Sequence, residues 1–281
     1  MNRRGFLPLL TLPLFGQEKP EWVCPMDADV RSPKPGVCPR CGMKLVPGIP
    51  ALKEFPLRLE VTPRAWRPGQ PVLLRFEILQ PDTGERVKRL LMVHERLFHL
   101  FLVSGDLEYF AHEHPEPQAD GTFLFETTLP KAGMYRLAAD YYPEGGTPQH
   151  SVKTILSAGS SLNSLRPPKL EASLDPQRAQ NLTVELRTEP EAPLAGLKTM
   201  LFFRVAPATQ LEPYLGAWGH LLAASADLID LIHAHPFRAG GGEQSQFNIT
   251  FRRPGMHRLW VQFQRAGKVN TAAFTLPVME L

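Results

Sequence analysis

The feature that most restricts this chain is that part of it is written twice. Residues 99–115 read His-Leu-Phe-Leu-Val-Ser-Gly-Asp-Leu-Glu-Tyr-Phe-Ala-His-Glu-His-Pro. Residues 220–236 read His-Leu-Leu-Ala-Ala-Ser-Ala-Asp-Leu-Ile-Asp-Leu-Ile-His-Ala-His-Pro. Eight positions are identical at a constant offset of 121: three histidines, two leucines, a serine, an aspartate and a proline. Further on, Gly133-Met134-Tyr135-Arg136-Leu137 returns as Gly255-Met256-His257-Arg258-Leu259, at an offset of 122. Two landmarks at nearly one spacing make duplication of a whole domain the simplest origin, and tandem domains the first expectation.

The local pattern within each copy is that of strands and turns. Leu57-Arg-Leu-Glu-Val61 alternates apolar and polar residues, as a half-buried strand does. Val72–Leu79 follows the Arg67-Pro-Gly turn, Thr122–Leu129 follows Asp120-Gly121, and Met134–Tyr142 follows Pro130-Lys-Ala-Gly133. Ser151–Leu156 reads as the last strand of the first copy. Glycine (21) and proline (29) are abundant, which favours short strands over long helices. The expectation is an all-β chain: two tandem antiparallel β-sandwiches of immunoglobulin or cupredoxin type, over 51–158 and 169–281. A Ser-, Leu- and Pro-containing stretch, 159–168, reads as the linker.

The conserved offsets fall on residues that bind metals. Apolar runs before Ser104 and after Glu108 predict a hairpin with Ser-Gly-Asp-Leu as its turn. A turn centred between Gly105 and Asp106 puts His99 opposite His112; a register shifted by two puts it opposite His114. Either way His99, His112 and His114 share one face, because side chains at i and i+2 of a strand do. Directly opposed Cβ atoms lie about 4.5–5.5 Å apart, so three imidazoles can close on one ion at bonds of about 2.0–2.1 Å. His220, His233 and His235 repeat the arrangement. Imidazole suits Cu(II) and Zn(II). The competing reading is that His-x-His-Pro merely caps a turn. His94, His150 and His257 are not repeated in kind and read as surface or packed residues. Trp66, Trp218 and Trp260 read as core, and Asp106 and Asp227 as turn residues bonded to their own backbone.

All three cysteines lie ahead of the repeats, spaced C-x13-C-x2-C as Cys24, Cys38 and Cys41. Cys-x-x-Cys lets two thiolates bite one ion from a tight knuckle. Met26 and Met43 stand where thioethers could join them, and such soft donors suit Cu(I) and Zn(II). Residues 24–45, Cys-Pro-Met followed by Pro-Gly-Val-Cys-Pro-Arg-Cys-Gly-Met-Lys-Leu, resemble the small heavy-metal-binding domain of copper-transporting P-type ATPases and heavy-metal efflux adaptors. The resemblance implies that Cys24, Cys38 and Cys41 are ligands, with Met26 or Met43 as partners. It also departs from the family, since the histidine after Cys-Pro-Met is Asp27 here and the next proline is Ala28. A zinc knuckle that only holds 18–50 folded, or a Cys38–Cys41 disulfide, are the alternatives.

Residues 1–17 read as an export signal. Asn2-Arg3-Arg4-Gly5-Phe6-Leu7 resembles a twin-arginine signal, and an ordinary secretory signal is the alternative. The apolar run Phe6–Phe15 is too short to span a bilayer. The segment Tyr214-Leu-Gly-Ala-Trp-Gly-His220, with the later His-x-His-Pro, resembles a module of uncharacterised exported bacterial proteins. Net charge is +3 with no Lys/Arg cluster, so nothing marks a nucleic-acid surface. Nucleotide-binding glycine loops, serine nucleophile elbows and paired catalytic acids are missing from the sequence. The sequence therefore points to an exported copper- or zinc-binding protein, periplasmic or secreted, that sequesters the ion or passes it to an efflux pump or metalloenzyme. A metal-dependent enzyme with an open three-histidine site, and a structural tandem sandwich without metal, are the competing classes.

Overall fold

A computed structural model describes residues 21–26, 30–40, 42–48, 53–161, 166–238 and 240–281. The export-signal reading at 1–17, Asp27, Cys41 and the centre of the linker lie outside these residues. Among the described residues there is no helix, and so none long and apolar enough to cross a membrane.

The first segment is a small sheet of β1 (Trp22–Val23), β2 (Arg31–Ser32) and β3 (Val46–Pro47) in the order β2-β1-β3. The first repeat contains β4 (Leu57–Thr62), β5 (Pro71–Ile78), β6 (Phe98–Ser104), β7 (Phe110–Glu113), β8 (Glu116–Pro117), β9 (Phe123–Thr128), β10 (Met134–Tyr141) and β11 (Gln149–Leu156). They form two four-stranded sheets, β4-β5-β9-β8 and β11-β10-β6-β7. The second repeat contains β12 (Gln177–Arg178), β13 (Thr183–Glu189), β14 (Lys198–Ala206), β15 (Leu211–Glu212), β16 (His220–Ser225), β17 (Leu231–Ala234), β18 (Gln244–Thr250), β19 (Gly255–Arg265) and β20 (Lys268–Val278). Its sheets run β12-β13-β14-β18 and β15-β19-β16-β17, with β20 also paired to β19. All ladders between these strands are antiparallel. The chain is a tandem of β-sandwiches behind a small cysteine-containing segment, as its sequence predicts.

Each sandwich closes over its own apolar core. Phe76, Phe98, Leu100, Leu102, Leu137 and Trp66 fill the first. Phe203, Phe247, Phe251, Leu259, Val261 and Phe274 fill the second. Strand β5 alternates buried and less buried positions, as a strand with one inward face does. Strands β6 and β16 do not alternate, and every residue in both is buried. One face of β6, Leu100 and Leu102, enters the sandwich interior. The other, Phe101 and Val103, enters a third cluster with Leu107, Ala138, Leu222, Ala224, Leu228 and Trp260. This third cluster takes residues from both repeats, so it is a seam between them. Trp66 is core, as expected, but Trp260 belongs to the seam and Trp218 is only half-buried.

Candidate metal centre

The hairpin register decides where the imidazoles point. Phe101 pairs with His112 and Leu100 with Glu113, so one further step brings His99 to His114. In the second repeat Leu221 pairs with Ala234, which brings His220 to His235. Of the two registers compatible with the sequence, the shifted one forms. Its cause is the turn. Leu107 N donates to Ser104 O at 2.9 Å, Ser104 N to Tyr109 O at 3.1 Å, and Tyr109 N to Ser104 Oγ at 2.9 Å. Glu108 N donates to Asp106 Oδ1 at 3.1 Å, and Leu107 takes a left-handed φ of 60°. The loop is thus centred one residue later than a Gly105-Asp106 turn would be. Ser225, Asp227 and Leu228 (φ 55°) repeat the construction. The recurrent serine and aspartate are therefore turn residues.

The three histidines of each repeat lie on the face that enters the seam. In each triad one nitrogen per ring lies within 4.8 Å of the others. The triads also meet each other. Ring centroids of His112 and His220 are 5.4 Å apart, His112 and His233 6.1 Å, and His99 and His233 6.2 Å. His94 stacks on His235 at 3.8 Å. His150 joins through Asp140. Eight of the nine histidines thus form one connected group, and His257, packed on Phe251, is the exception. His94 is packed and His150 exposed, within the surface-or-packed reading of the sequence, but that reading does not place either in the cluster. Neither is repeated in kind, and repetition was the signal that singled out the others.

The hydrogen bonds fix which nitrogen carries each proton. A carbonyl oxygen only accepts, so His99 donates through Nε2 to Val93 O at 2.9 Å. His112 donates through Nδ1 to Gln262 Oε1 at 2.8 Å; Gln262 in turn donates through Nε2 to Thr271 Oγ1 at 3.1 Å, which sets its orientation. What remains on His99 is Nδ1, and on His112 Nε2, 3.2 Å apart. In neutral rings both carry lone pairs, aimed at each other. Burial, the largest influence, brings His99 down to about 4 and holds His112 well below the ordinary imidazole value. At neutral pH no proton fills the gap, and a cation fits the donor pair better than either ring fits the other.

The second triad differs in one respect: His235 Nδ1 has no hydrogen bond, so His235 Nε2 is free to carry that ring's proton and donate it to His220 Nδ1. His220 donates through Nε2 to Tyr214 O at 2.8 Å, leaving Nδ1 facing His235 Nε2 at 3.1 Å. His233 donates through Nδ1 to Asp140 Oδ2 at 2.6 Å. The buried nitrogens His114 Nε2, His233 Nε2, His235 Nδ1 and His94 Nε2 make no hydrogen bond among the described residues. Four such nitrogens in one cluster are an unusual cost, since buried polar atoms are nearly always paired. Metal coordination would satisfy His114 Nε2 and His233 Nε2. Burial also lowers His94 and His114 to about 3, and pushes His220 and His235 well down, so the donors stay neutral as ligation requires.

The orienting groups are exchanged between repeats. Asp140 lies beside His99 on β10 but holds His233 of the other repeat. Gln262 lies beside His220 on β19 but holds His112. Behind them, Asp140 accepts from His150 Nδ1 at 2.5 Å, where Gln262 donates to Thr271. Burial pushes the Asp140 carboxyl up, yet the His150 charge and the bonds from His150 and His233 hold it well below the carboxylate range. Burial lowers His150 too, but the Asp140 charge outweighs it and the ring is raised. One half of the centre is thus backed by a carboxylate and the other by a neutral amide. Sequence reasoning missed Asp140 and Gln262 because equivalent positions carry different residue types.

The cysteine segment packs on this assembly. Cys24, Cys38, Met43 and Leu45 are buried together with Tyr142 of the first repeat, and Leu91 and Val93 lie against them. Cys38 N donates to Met43 O at 2.7 Å, and Gly42 N to Cys38 O at 2.9 Å. Gly42 has φ 73°, a left-handed turn that closes the knuckle. Met26 is 40% exposed. It lines a cavity of about 470 Å³ with Val93, His94, His99, Asp140 and His233.

Comparison with known proteins adds two families and little else. The sequence pattern of the Heavy metal binding domain matches residues 21–47. No curated protein matches. Among solved structures, the Escherichia coli adhesin FdeC is 16% identical, over 85% of this chain and 68% of its own, with a TM-score of 0.27. Yersinia pseudotuberculosis InvD is 13% identical, over 80% of this chain and 58% of its own, with a TM-score of 0.26. The fibronectin(III)-like modules of Clostridium thermocellum CbhA are 12% identical, over 80% and 94%, with a TM-score of 0.21. Likeness this weak carries nothing about role. The pattern of the Domain of unknown function (DUF8832) matches residues 55–156 and again 177–280, most of the chain, so the protein belongs to that family, with two copies behind a heavy-metal-binding segment.

Proposed function

We propose that this protein is an exported heavy-metal binder that takes up copper, with zinc as the alternative ion, and stores it or delivers it to an efflux pump or metalloenzyme. The histidines act as one centre at the seam, the first triad gathering one ion and the second another, and the Cys24/Cys38 segment with Cys41 offers a separate soft site. The observation that carries this reading is the facing of His99 Nδ1 and His112 Nε2, whose protons are both committed elsewhere. Imidazole donors favour Cu(II) or Zn(II) and thiolate or thioether donors Cu(I) or Zn(II). Export rests on the basic and apolar start of the sequence. Elemental analysis after loading with copper or zinc and desalting tests the centre. His112→Ala and His233→Ala should each lower bound metal, and the double variant should leave only cysteine-bound ion. Unchanged metal content in the double variant would contradict the reading.

The cavity beside His94, His99 and His233 favours one second reading, a metal-dependent enzyme. It has room for a small molecule next to an ion that three imidazoles leave open. A reaction of the loaded protein that His112→Ala abolishes would support it.

A further inference from the structure

The two triads lie nearly as close to each other as the rings of either lie among themselves. Within a triad, ring centroids are 4.5–5.9 Å apart. Across the triads, His99 and His112 lie 5.4–6.5 Å from His220 and His233 in all four pairings. Two ions bound by these rings are therefore near enough to share a ligand, as ions about 3.5–4 Å apart do in two-metal sites. The charge count says which kind of ligand. Both triads consist of histidine alone, and ligating imidazoles are neutral. Asp140 is the one carboxylate bonded to a triad ring among the described residues, and it already accepts from two rings, His150 and His233. Two divalent ions would bring four positive charges into a buried seam with that single carboxylate behind them. Buried charge without a counter-charge is costly, so an anion has to come from solution.

A way in exists. The cavity of about 470 Å³ is lined by His99 of the first triad and His233 of the second, so a small molecule entering it meets both sites at once. Arg252 lines it as well, and its charge favours an anion there. Asp140 also borders the cavity, but each of its oxygens already accepts a histidine proton. We propose that the two triads hold their ions as a pair bridged by one hydroxide, formed from a water that enters through this cavity. This rests on the reading that each triad binds a divalent ion. A single zinc ion already lowers the pKa of its bound water to about 7 in a protein site, and a water shared by two ions loses its proton more readily still. One O–H bond breaks and the proton leaves to solvent. The oxygen keeps the electron pair and bonds to both ions, whose oxidation state does not change.

The test uses the full chain, its thiolates first filled with one equivalent of Cu(I) under anaerobic conditions. Cu(I) suits sulfur donors, carries no unpaired spin, and keeps the thiols from reducing Cu(II). Two equivalents of Cu(II) are then added in weakly buffered, chloride-free solution. Electron paramagnetic resonance counts unpaired spins, metal analysis after desalting counts bound copper, and a pH-stat counts protons. The expected result is two Cu(II) bound, one proton released per pair, and a spin count of about one-tenth of the bound Cu(II) or less, because a shared hydroxide couples the two spins. His114→Ala and His233→Ala each leave one triad complete. Each should bind one Cu(II) fewer and yet give the stronger signal, close to one full spin per ion. Two bound Cu(II) in the wild-type protein with a full signal from each would overturn the bridge and leave two separate histidine sites standing. A lost signal without proton release would overturn the hydroxide in favour of another anion. No Cu(II) held beyond the cysteine segment would remove the histidine centre itself, and the bridge with it.

Discussion

Asp140 and Gln262 hold equivalent places and differ in charge, and that difference reaches the metal donors. A carboxylate behind a ligating imidazole fixes its tautomer and raises its basicity, and loss of such a partner typically costs 10–100-fold in affinity. Asp140→Asn should therefore weaken the ion held by His233 by about 10–100-fold, with little effect on the one held by His112. Chelator-competition titrations resolve the two affinities. The buried rings also set a pH dependence for the metal-free protein. His94, His99 and His114 have folded values of about 3 to 4, below the unfolded value of about 6.5. Below about 6.5 the unfolded chain takes up protons that the folded one refuses. Stability should be full above that pH and fall steadily toward pH 4, read as falling urea midpoints. His150, whose value is raised, works in the opposite direction, favouring the fold below about 6.5 and losing that contribution as pH rises through its folded value. The triad members were legible because they recur. His94, His150 and Asp140 were not, since the second copy has Leu215, Thr271 and Gln262 in their places.

Strand β6 is where the two roles of the sheet separate. Leu100 faces the sandwich interior and Phe101 the seam, one residue apart. Phe101 stacks on His112 at 4.2 Å and meets the edge of His233 at 4.6 Å. Phe101→Ala should cost about 3–5 kcal/mol and Leu100→Ala about 2–5 kcal/mol, the usual range for emptied core positions. Only Phe101→Ala should also lower the metal held per chain, because it alone removes packing from donors of both triads. Urea denaturation with metal analysis on the same samples checks the pair. Strand positions were readable from alternation and turn residues, as Leu57-Arg-Leu-Glu-Val61 shows. The register was not, because Ser104 and Asp106 support either of two loops until their hydrogen bonds are seen. The fully apolar runs of β6 and β16 hid which face meets what, since a strand covered on both sides loses its period.

The whole molecule places two copies of one sandwich with their histidine faces together, and a cysteine-bearing segment over the junction. Tandem copies were legible from the repeat offset, and a metal-binding front segment from the cysteine spacing together with its family resemblance. Their juxtaposition was not, because nothing in a repeat says which of its outer faces its twin will cover. Two triads read separately become one centre only when Phe101, Leu222 and Trp260 are seen in the same cluster. The most direct measurement is an anomalous-difference map from crystals of the full chain grown with copper or zinc. Metal density at the seam, bound by imidazoles of His99, His112 and His114 and by those of His220, His233 and His235, is the result this account predicts. Density confined to the cysteine segment, with only water among the seam histidines, would contradict it.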